Sequence, residues 1–122
     1  MRVRVSGLPQ AVLYCHCADC RKWSGAPVTA FVGYSTQQVR MLGEEPEVYA
    51  SSPGVERSFC GRCGTSFSYE DERLPGEIFL SVGIFDEPEK FEPQSHSWFS
   101  SRLSWLHIED DAPRHEKSGR PR

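Results

Sequence analysis

Three cysteines and a histidine crowd into Tyr14–Cys20 (YCHCADC), and two further cysteines, Cys60 and Cys63, stand in FCGRCG. Thiols this dense oxidise to disulfides, close a structural metal site, or hold a metal with one position left open for chemistry. Five is an odd total, so the thiols cannot all pair within the chain. Along a regular strand, Cys15 and Cys17 lie ~6.6 Å apart. Zinc–sulfur bonds of ~2.3 Å require sulfurs within ~3.8 Å of one another. The strand must therefore bend, with Cys20 returning from the turn that follows. If Cys20 opens a short helix, free backbone N–H groups face its thiolate and favour ligation. In FCGRCG, Gly64 supplies the positive φ that lets Cys60 and Cys63 converge on one ion. A redox pair there lacks the surrounding βαβ pattern.

Ligand count separates two assemblies. One is a four-cysteine ribbon of Cys17, Cys20, Cys60 and Cys63, a closed structural site that makes the chain a non-catalytic zinc-stabilised interaction module and leaves Cys15 spare. The other is an open tripod of Cys15, Cys17 and Cys20, with Cys60 and Cys63 as an incomplete pair. His16 points away from Cys15 and Cys17 on a strand, which suits packing behind the ligands. Trp23, Ser24 and Gly25 follow at once, where the indole can wall the open position. Arg57 and Arg102 are candidates to fork onto ligand carboxylates. His96 alternates with Trp98 on one strand, with packing as its default role and proton transfer as the alternative.

The elements that position these residues are short. The 122 residues suit one domain, and nine prolines with ten glycines favour strands joined by turns. Alternation places strands near 2–6, 11–16, 28–34, 39–42, 47–50, 55–59, 65–70, 77–85 and 96–100, with helical turns at 18–23 and 100–105. The expected fold is mainly β, built of small antiparallel sheets. Residues 86–92 read as a solvated charged loop, and the polar stretch from Asp110 is expected to fray. A net charge of −3 provides no basic field for nucleic acid. The start, MRVRVSGLPQ, lacks a signal-peptide core, and no apolar run suits a bilayer, so a cytoplasmic protein is expected.

YCHCADCRKWSGAP, SSPGVERSFCGRCGTSFSYE and HSWFSSRLSWLHI together resemble the glutathione-dependent formaldehyde-activating enzyme family, also called the centromere protein V domain. The likeness runs to about Asp111, giving a domain at 1–111 and a polar tail at 112–122. The resemblance implies a zinc-bound β-tent fold and carbon–sulfur lyase activity that joins formaldehyde to glutathione as S-hydroxymethylglutathione. It also implies a catalytic zinc at Cys15, Cys17 and Cys20, and half of a structural zinc site at Cys60 and Cys63. Family members carry a preceding strand with a C-x-C-G motif that completes that second site; this chain starts past it. One zinc is therefore expected, and a second only if the Cys60/Cys63 site is completed. The sheet edge that strand would cover invites a homodimer.

Overall fold

The computed structural model describes residues 1–119. Nine strands form two sheets: β1 (Arg2–Val5), β2 (Ala11–Cys15), β3 (Thr29–Ser35), β4 (Val39–Leu42), β5 (Glu47–Ser52), β6 (Val55–Phe59), β7 (Ser66–Asp71), β8 (Glu77–Ser81) and β9 (Ser95–Ser97). β1 pairs with β4, and the other seven run in the order β5-β6-β7-β8-β3-β2-β9. The one α-helix among the described residues, α1 (Ala18–Ser24), follows β2. The mainly-β architecture of antiparallel sheets expected from the turn-rich composition is present, as one seven-stranded and one two-stranded sheet.

Period-two alternation divides the apolar residues between the faces of the large sheet. Val12, Val32, Tyr34, Phe67, Leu80 and Val82 form one buried cluster, against which Met1 and, from the small sheet, Val3 and Val5 pack. Leu13, Cys15, Phe31, Phe79 and Cys20 form the other. Tripod chemistry therefore sits on a face whose backing is apolar and fixed.

Two departures from the expected strands shape the site. β8 stops at Ser81 and turns into a 3-10 segment, Val82–Ile84, that carries Val82 into the first cluster. β9 ends at Ser97 because Trp98 adopts the left-handed conformation, φ 55° and ψ 41°, and starts the 3-10 turn Phe99–Ser101. β9 also pairs with β2 in parallel, His96 opposite Tyr14 and Ser97 opposite Cys15, an exception to the antiparallel pattern.

Where it is described, the segment beyond Asp110 is hydrogen-bonded rather than free of the fold. Its backbone hydrogen-bonds along β9: His96 N–H donates to Pro113 O, His115 N–H to His96 O, and Trp98 N–H to Lys117 O. A polar sequence pairs here because β9 is an edge strand whose N–H and C=O groups need partners. Residues 120–122 of the expected tail lie outside the described residues.

Candidate metal centre

β2 ends in Cys15, and the chain bends so that Cys17 caps α1. The Cys17 sulfur accepts from Cys20 N–H at 3.3 Å. The helix amide thus serves Cys17, not Cys20 as expected, because Cys20 lies a turn inside the helix. Gly25 closes the helix at φ 73°, donating its N–H to Arg21 O. Seven residues between a thiol cap and a glycine cap return Cys20 to Cys15 and Cys17.

The three Sγ atoms lie within 4.8 Å of one another, Cys15 and Cys17 at 3.4 Å. Among the described residues no other cluster of three histidine, cysteine or carboxylate ligands converges in this way. Such a set resists full ionisation. Hydrogen bonds from the Cys15 and Cys20 thiols hold Cys17 well below the usual thiol range. Hydrogen bonding to Cys17 and Cys20, and then burial, pushes Cys15 up. A divalent cation relieves this, since its charge lets all three thiols deprotonate. Soft sulfur donors at this spacing suit zinc.

The ribbon of Cys17, Cys20, Cys60 and Cys63 does not assemble. Cys60 and Cys63 sit in their own turn, with Gly64 at φ 78° donating to Cys60 O and the Cys63 sulfur 3.0 Å from Thr65 Oγ1. They line a surface cavity together with Met1, Ser24 and Phe67.

Cys15 and Cys17 open into a different cavity, of about 390 Å³. Leu13, Phe31, Leu74 and Phe79 line it with apolar surface, and Trp98, Arg57, Tyr69 and Arg73 complete the wall. Arg57 is 4% exposed. Its guanidinium lies between two rings, 5.2 Å from the Trp23 centroid and 4.8 Å from that of Tyr69. Its Nη1 donates to Cys20 Sγ at 3.6 Å and its Nε to Ser51 Oγ at 3.3 Å. The Tyr69 hydroxyl in turn donates to Asp71, which also holds Arg73 through two side-chain hydrogen bonds.

Behind the tripod, between Cys15 and Cys17, His16 faces the opposite side. Its Nε2 lies 2.9 Å from His96 Nδ1, and His96 Nε2 lies 3.0 Å from Asp110 Oδ2. A carboxylate only accepts, so His96 Nε2 donates to it and His96 Nδ1 accepts from His16 Nε2–H. That leaves His16 Nδ1 as a buried lone pair with no partner among the described residues. Burial, then His96 and the Arg102 charge, lowers His16 to about 4 and keeps it neutral at pH 7.

The residues singled out from sequence therefore divide. Cys15, Cys17, Cys20 and Arg57 meet at one place. Trp23 lies behind Arg57, stacked on Phe31, and is not part of the cavity wall. Ser24 donates to Cys20 O and accepts from Ala26 N–H, finishing the helix. His96 and Arg102 belong to the reverse side; Arg102 lies 4.2 Å over the Phe99 ring. Sequence reading missed Tyr69, Asp71 and Asp110. Tyr69 had a signal: the β6–β7 pairing across the FCGRCG turn puts it directly opposite Arg57.

Residues 1–101 match the family described as glutathione-dependent formaldehyde-activating enzyme. The chain belongs to that family. A Schizosaccharomyces pombe protein described as an uncharacterized lyase is 37% identical over 75 residues, covering 58% of this chain and 51% of its own length. The chain thus spans about half of that curated relative. A crystal structure of a Rhodobacter sphaeroides protein shares the fold, with a TM-score of 0.60 and 18% identity over 93% of this chain and 90% of that one. Among the described residues no helix is long and apolar enough to cross a membrane.

Proposed function

We propose that this member of the family is a zinc-dependent carbon–sulfur lyase-type enzyme that takes a small thiol, glutathione in the first instance, and adds it to formaldehyde. The observation that carries the reading is the cluster of three thiols, Cys15, Cys17 and Cys20, two of which, Cys15 and Cys17, line an accessible cavity. The family description and the lyase-named relative support the reaction class. Held by three thiolates, zinc supplies a coordination position at which an external thiol can bind as its thiolate.

The chain's own residues do the rest. Leu13, Phe31 and Phe79 give the cavity an apolar floor that excludes water and strengthens the electrostatics within. The cavity walls orient the thiol carbon chain, so that sulfur and carbonyl carbon meet without a search. In the addition, a C–S bond forms, the carbonyl π electrons move to oxygen, and the thiol's proton ends on that oxygen as a hydroxymethyl thioether. The reverse reaction breaks the same C–S bond. His96 and Arg102 have no part in it, being turned away from the cavity.

Addition also runs without protein, so the test is a rate. Two-dimensional exchange NMR on formaldehyde and glutathione should show faster adduct exchange with zinc-loaded protein and background exchange with Cys17→Ser. Background exchange with zinc-loaded wild type rejects the reaction.

A further inference from the structure

Arg57 poses a charge problem. The residue is 4% exposed, and a guanidinium buried with it needs a counter-charge, because an unpaired buried ion costs several kcal/mol. Among the described residues no carboxylate forms an ion pair with it. The carboxylates of Glu44, Asp71, Glu87 and Asp110 pair with Arg62, Arg73, Lys90 and Arg114. Its polar neighbours are Ser51, which is neutral, and the Cys20 sulfur. The aromatic rings on either side attract a cation and fix its plane, but they do not neutralise it.

We propose that Arg57 is the counter-ion of the cysteine tripod and a positioning residue for Cys20, not a clamp for a substrate carboxylate. The inference rests on the metal-holding reading above. Three thiolates around a divalent cation leave one negative charge, and the guanidinium cancels it. The N–H···S contact draws electron density from Cys20 and holds that sulfur toward Cys15 and Cys17. The sandwich between Trp23 and Tyr69 makes the contact rigid, and Asp71 fixes Tyr69 from behind. A chain of contacts therefore runs from Asp71 to the tripod through one buried cation.

The test is metal binding, independent of turnover. Zinc affinity is measured by competition with a chromophoric chelator, and the sulfur-to-metal charge-transfer band is recorded on the cobalt-loaded protein. Arg57→Met keeps a long apolar stem without charge or donor. It should bind zinc about 10- to 100-fold more weakly and shift the band. Arg57→Lys keeps the charge but not the planar fork, so it should recover part of the affinity and still show a shifted band. Wild-type affinity and an unmoved band in a folded Met variant overturn the proposal. Should the Met variant fail to fold, an unmoved band in the Lys variant overturns it equally. Wild-type protein that binds no metal at this site rejects the underlying reading instead, which separates the two failures.

Discussion

Replacing Asp110 with alanine tests the polar chain behind the tripod. Asp110 is the acceptor at its end, and its side chain is 24% exposed while that of His96 is fully buried. Alanine leaves the His96 Nε2–H pointing into protein with no acceptor. A buried donor stranded in this way costs about 1–3 kcal/mol. Loss of the Arg114 pair, on partly exposed side chains, adds about 0–1 kcal/mol. For a chain of this size each kcal/mol lowers the melting temperature by about 4 °C, so Asp110→Ala should melt about 4–16 °C below wild type. Asp110→Asn retains an acceptor oxygen and should lose under about 1 kcal/mol. Urea unfolding followed by circular dichroism, with melting curves as a cross-check, measures both. A change under about 0.5 kcal/mol in the alanine variant, or equal losses in the two, refutes the hydrogen-bond direction assigned to the chain.

Other perturbations probe separate parts of the account. The Asp71 carboxyl is held far below its ordinary value, chiefly by the Arg73 side-chain hydrogen bonds. Its folded value is lower than its unfolded value of about 3.9, so its contribution is full above about pH 4 and drains away as pH falls further. Urea unfolding should thus show Asp71→Asn about 1.5–3 kcal/mol less stable than wild type at pH 6, with the gap narrowing by pH 3. A Cβ at Gly33 would sit 2.8 Å from Phe79 Cε1. Gly33→Ala should lose about 1–3 kcal/mol through overpacking, read by thermal melting, and displace a ring of the cavity floor. Cys63→Ser should leave zinc binding at the tripod unchanged while Cys20→Ser abolishes it, as read by metal stoichiometry after dialysis.

The tripod was legible in the sequence because its ligands lie within six residues and a strand-to-helix bend is all that is needed to close them. The mainly-β class was legible for a similarly local reason, since alternation and turn residues mark short strands wherever they fall. Arg57 was visible only as a residue type. Its role depends on a cross-strand neighbour, Tyr69, and a helix residue, Trp23, that sequence separation hides. The same holds more strongly for Asp110, which connects to His16 through His96 because β9 lies parallel to β2 and the polar C-terminal segment hydrogen-bonds along it. Composition spoke against order there, and the backbone needs of an edge strand prevailed. His96 and Arg102 were plausible ligand contacts by type; His96 stands opposite Tyr14 in the β2–β9 pairing and so faces away from Cys15, and Arg102 lies on the Phe99 ring on that same reverse side.

The central claim is that the cysteine tripod holds zinc with one position left for an outside thiol. X-ray absorption at the zinc edge of the loaded protein measures this directly. Three sulfur neighbours at ~2.3 Å and one lighter atom are expected, converting to four sulfurs when glutathione is added. Four sulfurs before any thiol is added, or a shell that glutathione leaves unchanged, would contradict it.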